Sequence, residues 1–77
     1  MQLVRVEWID AASQAEWNYR ENLIEPMDVT TSGFKVADED DYIVICASFT
    51  DNAAFGDCIA IPKGLILKEE ILRAGTP

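Results

Sequence analysis

Histidine is absent from this sequence of 77 residues, and basic residues are few. Without histidine, the chain has no imidazole to act as a general base or to activate a serine or cysteine nucleophile. No G-x-S-x-G motif, phosphate-binding glycine loop or metal-ligand set takes its place. Six Lys and Arg against fourteen Asp and Glu give a net charge of −8, which repels phosphate backbones. The composition therefore predicts neither an enzyme nor a nucleic-acid-binding protein, and we expect no cofactor.

Long apolar runs and cysteines are also scarce. No run of 18 apolar residues occurs, so no membrane-spanning helix is expected. The segment MQLVRVEW lacks the cationic and apolar regions of a secretory signal, which favours a cytosolic protein. Cys46 and Cys58 lie in separate apolar segments, and we interpret them as reduced structural thiols. A redox role or a metal site shared between subunits is the alternative.

What the chain has in quantity is apolar surface. Hydrophobic residues make up 49% of the sequence, and three Phe, two Trp and two Tyr supply bulky side chains for a small core. A chain of this length has room for one domain, which we place at residues 1–77 with a frayed tail at 74–77. We expect its margin of stability to be small, because small domains bury a small share of their surface.

Residues 2–9 have the period of two that is typical of a half-buried strand. Val4, Val6 and Trp8 fall on one face, and charged residues separate them on the other. For Trp8 we favour packing in the core, and an aromatic platform for binding peptides is the alternative.

A helical insertion is expected after this first strand. Ser13 and Glu16 have the spacing of a capping box, in which both side chains satisfy free amides at a helix start. This predicts a short helix or helical turn over residues 14–21. Trp17, within that segment, would cover an open end or face of the sheet, or would instead contact a partner.

Residues 29–37 have the composition of a second strand, and Gly33 within it suggests a bulge or a sharp bend. The densest charge of the chain comes next, at Asp38, Glu39, Asp40 and Asp41. A solvated turn is the favoured interpretation of these four carboxylates. A partner-facing acidic patch and a calcium site are the alternatives, although the loop pattern of a calcium site is absent.

Residues 41–67 hold the longest apolar run of the chain, which a polar turn interrupts. Residues 42–49 and 58–61 predict the strands of a central β-hairpin whose turn is centred on Asn52. Because paired residues share one side of a sheet, this register brings six apolar residues together on one face. They are Phe49 opposite Phe55, Ile45 opposite Ile59, and Ile43 opposite Ile61. We expect these six residues to form the core.

The reverse face of the hairpin is apolar as well. The register places Val44 opposite Ala60 and Cys46 opposite Cys58 there. A bare apolar patch is unusual on a monomer, so we expect either residues 10–28 or a second subunit to cover this face. The same register sets Ala47 opposite Asp57, which leaves a turn shifted by one residue as an alternative.

Pro62, Lys63 and Gly64 predict a single 3₁₀ turn after the hairpin. Residues 65–73 fit either a strand or a helix, and we favour a closing strand because four strands would leave a barrel open. The sequence therefore predicts a mainly β fold. Its architecture would be a small, strongly bent, five-stranded antiparallel barrel with a helical insertion after the first strand.

This order of elements resembles SH3-like and Sm-like barrels, although the ligand-binding motifs of both families are missing. A second resemblance is to small proteins of bacteriophages and prophages. It depends on V-x-W-x-D, a tryptophan, G-F-x-V, D-D-Y-I-V-I and I-P-x-x-x-I, found here at 6–10, Trp17, 33–36, 40–45 and 61–66. The resemblance implies a mobile-element protein that works in the bacterial cytoplasm.

We expect a non-enzymatic, acidic interaction module that docks on a basic protein surface. The candidate partner-facing residues are Asp38, Glu39, Asp40, Asp41, Trp17 and Tyr42. One alternative is an inhibitor of a host defence complex, in which carboxylates occupy the places of DNA phosphates. The other is a self-associating assembly component, which would be a homo-oligomer. No direct contact with nucleic acid or membrane is expected.

Overall fold

The computed structural model describes residues 1–10 and 25–75, which form five antiparallel strands of one sheet. The strands are β1 (Gln2–Asp10), β2 (Met27–Asp38), β3 (Tyr42–Phe49), β4 (Phe55–Pro62) and β5 (Ile66–Arg73). A 3₁₀ helix, Lys63–Leu65, precedes β5, and the order across the sheet is β4-β3-β2-β1-β5. The mainly β fold, the 3₁₀ turn and the fifth strand are thus confirmed. The helix predicted over 14–21 and Trp17 lie outside the described residues.

Strand β2 belongs to both halves of the sheet. Residues 27–35 pair with β1, whereas residues 34–38 pair with β3, so the two ladders overlap at only two positions. Val36 is an extra residue in the second ladder, which makes it a β-bulge. The long strand therefore changes partner where it bends.

The core lies between the two halves of the bent sheet. Its most buried members come from β1, β3 and β4 and are at most 6% exposed: Val4, Val6, Trp8, Ile43, Ile45 and Ile61. Strand β1 is not a neighbour of β3 or β4 in the sheet, so these contacts require the sheet to fold over itself. Each such side chain contributes roughly 1.5–3 kcal/mol by leaving water.

Trp8 is a core residue, as the packing interpretation predicts. It is 6% exposed, and its indole Nε1 donates a hydrogen bond to Thr31 Oγ1 at 2.9 Å. A buried tryptophan needs a partner for its N–H, and a threonine hydroxyl on the neighbouring strand supplies it. The alternative, an exposed aromatic platform, is therefore wrong for Trp8.

Gly33 lies at a close approach of β2 and β3. A Cβ at this position would lie 2.6 Å from Ile45 Cγ2 and 2.8 Å from the carbonyl oxygen of Cys46. Both distances are well below van der Waals contact, so a side chain here would collide with β3. The glycine permits the close approach of two strands, and the bulge itself lies three residues later at Val36.

The predicted closure of the sheet into a barrel is wrong. Strands β4 and β5 are the two edges of the sheet, and no hydrogen-bonded ladder joins them within the described residues. Strand β4 ends at Pro62, which has no N–H to donate, and the 3₁₀ helix follows it directly. The backbone has therefore left β4 before β5 begins to pair with β1.

The predicted register of the central hairpin is confirmed, including the Phe49–Phe55, Ile45–Ile59, Ile43–Ile61, Val44–Ala60 and Cys46–Cys58 pairs. At the turn, Thr50 N donates to Ala54 O at 2.9 Å and Ala53 N donates to Thr50 O at 3.1 Å. The turn is not shifted by one residue, which was the alternative raised by the predicted Ala47–Asp57 pair. Asp57 adopts a left-handed backbone with φ of 55° and makes no ladder pair.

The prediction that all six hairpin residues form the core is wrong for three of them. Ile43, Ile45 and Ile61 are buried, but Ile59 is 36% exposed and Phe49 and Phe55 are each 48% exposed. For Phe49 and Phe55 the reason is the length of the β2–β3 ladder, which ends at the Phe34–Cys46 pair. Beyond that pair the hairpin is a ribbon of two strands, and no third strand of the described residues pairs with it. Ile59 lies opposite Ile45, which is still inside that ladder, but Ile59 itself is on β4, an edge strand of the sheet.

The interpretation of the two cysteines as reduced thiols is also wrong, because Cys46 and Cys58 form a disulfide. Their Cα atoms are 4.0 Å apart. Two cysteines can be bridged when their Cα atoms lie within about 7 Å of each other. Directly opposite positions in a β-ladder meet that condition, and the register had placed the two residues there.

Candidate interaction surface

The acidic turn, residues 38–41, joins β2 to β3 on a backbone that hydrogen bonds hold in place. Glu39 N donates to Tyr42 O at 2.8 Å, which closes the turn. Lys63 N donates to Asp41 O at 2.8 Å, which ties the turn to the 3₁₀ helix before β5. The exposed carboxylates of this turn are therefore carried on a defined backbone.

Asp38 differs from the other three carboxylates because two lysines bind it. Its Oδ1 lies 2.7 Å from Lys63 Nζ and its Oδ2 lies 3.0 Å from Lys35 Nζ. Lys35 also reaches Glu69 Oε2 on β5 at 2.8 Å. The resulting chain of charges, from Glu69 through Lys35 and Asp38 to Lys63, links β5, β2 and the 3₁₀ helix.

These ion pairs shift two pKa values in opposite directions. The hydrogen bond from Lys63, followed by that from Lys35, holds the pKa of Asp38 below its ordinary value. The hydrogen bond to Glu69 raises the pKa of Lys35 above its ordinary value, although partial burial of the ammonium opposes this effect. Both groups therefore keep their charges across the neutral range.

Glu39, Asp40 and Asp41 make no ion pair among the described residues, and all three are exposed. Tyr42 follows them at the start of β3 and is 42% exposed. The predicted patch thus divides into one carboxylate engaged within the chain, at Asp38, and three that face solvent.

Pro62 belongs to the same surface, and sequence reasoning missed it. It is exposed and lies directly opposite Tyr42 in the β3–β4 ladder. Extension of the predicted hairpin register by one pair would have found it. We define the acidic surface as Glu39, Asp40, Asp41, Tyr42 and Pro62.

A second exposed region lies along β5. Leu67, Ile71 and Leu72 are 60%, 55% and 44% exposed. Leu67 and Leu72 fall at the two register shifts of the β1–β5 ladder, so neither has a ladder partner on β1. The other side of β5 pairs with no strand in the described part of the chain. We call these three residues the β5 edge.

A groove of about 400 Å³ lies at the end of β3 opposite the acidic turn. It is lined by Met1, Phe34, Phe49, Arg73 and Ala74. The rings of Phe34 and Phe49 meet edge to face with their centroids 5.1 Å apart. The edge-to-face arrangement is favourable for two aromatic rings. It gives the exposed tip of the hairpin one aromatic contact with β2.

Within residues 1–10 and 25–75, no three histidine, cysteine or carboxylate side chains are grouped so that they could hold a metal ion. No helix in that part of the chain has the length and apolar character needed to cross a bilayer.

Comparison with protein-family models, with curated proteins and with solved structures finds no match to this chain. The function of these surfaces must therefore be argued from their geometry.

Proposed function

We propose that this chain is a non-enzymatic interaction module that binds a basic protein segment through the acidic surface. The observation that carries the proposal is the juxtaposition of three exposed carboxylates, which form no ion pair within residues 1–10 and 25–75, with an exposed aromatic residue and a proline. Lys and Arg side chains fit such a surface, because their charge meets the carboxylates while their alkyl stems cover apolar atoms.

The hydrogen bonds of the acidic turn favour binding. Association normally costs free energy because loops and side chains must be ordered at the interface. Here Glu39 N and Lys63 N already fix the backbone on both sides of Asp40. The backbone of the turn therefore loses little freedom when a partner binds, and this low cost supports recognition by the acidic turn.

Tyr42 gives the surface an apolar and cation-binding element. A guanidinium or ammonium group over a tyrosine ring gains about 0.5–1 kcal/mol at an exposed site. Pro62, opposite Tyr42, adds a rigid apolar neighbour that loses no side-chain freedom on binding. The pair therefore favours a basic segment over an acidic or purely polar one.

The net charge of −8 acts over a longer distance than these contacts. Such a field speeds the approach of basic partners and slows that of acidic ones, and salt screens it. We therefore expect the rate of association to fall as ionic strength rises.

The test is affinity capture from a bacterial lysate with wild type and two double variants. Asp40→Asn with Tyr42→Ala alters the acidic surface. Asp51→Asn with Phe55→Ala is the matched control, because it removes the same charge and an exposed aromatic residue at the far end of the hairpin.

We expect the wild type and the control to enrich the same basic proteins, and the acidic-surface variant to lose them. Added salt should weaken capture by the wild type. Equal capture by all three proteins, or enrichment of acidic proteins, would contradict the proposal. Circular dichroism of each variant confirms that the loss is not caused by unfolding.

A more specific form of the proposal is inhibition of a host defence complex, with the carboxylates in the places of DNA phosphates. The rigid turn supports it, but the two lysines on Asp38 reduce the charge that the turn presents. Conversion of residues 38–41 to amides should abolish such inhibition in a nuclease assay. Full inhibition by that variant would remove the mimicry hypothesis.

Self-association is the second candidate function, and the β5 edge favours it. An edge strand with exposed apolar side chains can pair with another chain through its open side. Sedimentation at micromolar concentration distinguishes the two functions, with Leu67→Lys as the variant and Thr30→Lys as an exposed control on β2. A dimer that Leu67→Lys alone dissociates would support self-association, and a monomeric wild type would exclude it.

The origin and fold family of the chain are also proposals. The strand order, the long bent β2 and the 3₁₀ helix before β5 support an SH3-like arrangement that is open between β4 and β5. The resemblance in sequence supports a bacteriophage or prophage protein that acts in the bacterial cytoplasm. A gene neighbourhood of virion or lysogeny genes would be expected, and a housekeeping operon would argue against this origin.

A further inference from the structure

The Cys46–Cys58 disulfide joins two strands that have unequal surroundings. Strand β3 lies between β2 and β4, so Cys46 has Phe34 on one side and Cys58 on the other. Strand β4 is an edge of the sheet, so Cys58 pairs with Cys46 alone among the described residues. Cys46 is 0% exposed, whereas Cys58 is exposed. A reagent in solution can therefore reach the bond from the side of Cys58.

The disulfide also lies at a structural boundary within the hairpin. On the side toward Tyr42, β3 is paired on both edges, whereas beyond Cys46 the only strand paired with it in the described part of the chain is β4. Asp57, next to Cys58, makes no ladder pair and has a left-handed backbone. The bond thus lies at the start of a two-stranded tip, where backbone hydrogen bonds are weak restraints. The edge-to-face contact of Phe49 with Phe34 is a side-chain link between this tip and β2.

We propose that Cys58 is a thiol-exchange site at which small thiols open this disulfide and release the tip of the hairpin. The attacking thiolate forms a bond to Cys58 Sγ, and the bond between the two cysteine sulfurs breaks. Its electron pair leaves on Cys46 Sγ, which takes a proton from water. The first product is a mixed disulfide on Cys58 with a free thiol at Cys46.

A second small thiol completes the reduction. It attacks the small-molecule sulfur of the mixed disulfide, so Cys58 leaves as a thiolate and a small-molecule disulfide is released. Two thiols are oxidised to one disulfide, and the protein gains two thiols. Attack at Cys46 is disfavoured because its fully buried position gives no approach to the sulfur, and access is one of the factors that decide which sulfur reacts.

The first experiment identifies the sulfur that reacts, and it needs no variant. The full chain with its disulfide intact is treated briefly with 2-mercaptoethanol, a neutral thiol that the negative charge of the protein does not repel. Acid then stops the exchange, the chain is unfolded, and free thiols are alkylated before peptide mapping by mass spectrometry. We expect the mixed disulfide on Cys58 to exceed that on Cys46 by roughly tenfold or more.

Equal adducts on the two cysteines, or a larger one on Cys46, would overturn the proposal. So would a failure of the bond to react under conditions that reduce an unstructured peptide containing one disulfide. As a second measurement, Cys46→Ser and Cys58→Ser are compared for reaction of the remaining thiol with a neutral aromatic disulfide. The Cys46→Ser variant, which keeps Cys58, should react faster by roughly tenfold.

The second experiment measures what the reaction does to the fold. Amide hydrogen exchange is compared in the oxidised and the fully reduced chain. We expect exchange in residues 55–59 to rise by roughly tenfold on reduction, while the β1–β2 ladder keeps its protection. Unchanged exchange at the tip would overturn the release of the hairpin, and an equal rise in β1 and β2 would show global unfolding instead.

Discussion

The two ends of the β3–β4 hairpin have the same apolar character and opposite exposure. At the base, Ile43 faces Ile61 and both are at most 1% exposed, whereas at the tip Phe49 faces Phe55 and each is 48% exposed. Both pairs obey one register. The base has β2 beside it and β1 packed across it. Beyond Cys46, neither β2 nor another strand of the described residues pairs with the hairpin. Apolar composition and register are therefore insufficient to bury a residue unless another element lies over it.

The strongest test of this comparison is an alanine substitution at each end. Ile61→Ala should lower the free energy of unfolding by about 2–5 kcal/mol, because it leaves a cavity in the core. Phe55→Ala removes more atoms but should cost about 1 kcal/mol or less, because it loses only a cross-strand pair on an exposed ribbon. Urea denaturation measures both values. Equal losses would show that the tip is packed as firmly as the base.

The second test concerns the close approach of strands that makes the base compact. Gly33→Ala should destabilise the chain by about 1–3 kcal/mol, because its new methyl group would overlap Ile45 and the backbone of Cys46. Gly64→Ala in the 3₁₀ helix is the matched control, because nothing lies within 4 Å of its added carbon. The control should change stability by about 0.5 kcal/mol or less. Similar effects at both glycines would mean that β2 and β3 are not in tight contact.

The smallest change in stability is expected when a carboxylate is neutralised. This change should also differ between the base and the tip of the hairpin. Asp38 pairs with Ile43 at the base and binds two lysines, whereas Asp51 is exposed in the turn at the tip. Asp38→Asn should destabilise the chain near neutral pH, and Asp51→Asn should leave its stability nearly unchanged.

The dependence of this effect on pH follows from the direction of the pKa shift. The pKa of Asp38 in the folded chain is below its ordinary value of 3.8, so its stabilising contribution is present above that value. The contribution is lost as the pH falls through the lower, folded pKa. Denaturation curves of wild type and Asp38→Asn should therefore differ near neutral pH and converge in strong acid. A difference that persists in strong acid would assign the effect to packing.

The ion pairs of Lys35 with Asp38 and Glu69 should persist into alkaline pH. The pKa of Lys35 in the folded chain is above its ordinary value of 10.5, so its contribution is complete below that value and is lost only as the pH rises through the folded pKa. Its side chain is only 15% exposed, which also limits screening by salt.

Local patterns were sufficient to predict much of the fold. The period of residues 2–9, the turn residues around Asn52 and the Pro62 break predicted β1, the hairpin register and the 3₁₀ helix, because each depends on near neighbours in sequence. The same register also contained the Tyr42–Pro62 pair of the acidic surface.

Other features could not be predicted because they depend on residues far apart in the chain. The Glu69–Lys35 ion pair joins β5 to β2, and no sequence pattern relates the two positions. The open edge between β4 and β5 likewise depends on how the whole sheet bends. The disulfide was misjudged for a different reason, since the positions of both cysteines were predicted but their bonding was not.

The sequence by itself indicated which residues face each other along the hairpin, because apolar residues meet in the register centred on Asn52, and the structure removed the alternative of a turn shifted by one residue. The sequence also determined the charge of the acidic turn. Only the tertiary structure decided which of the paired residues are buried, which carboxylate of the acidic turn binds lysines, and which cysteine faces solvent. Those outcomes depend on where β2 stops beside β3 and on which strand forms the edge of the sheet, and both are set by the packing of distant segments.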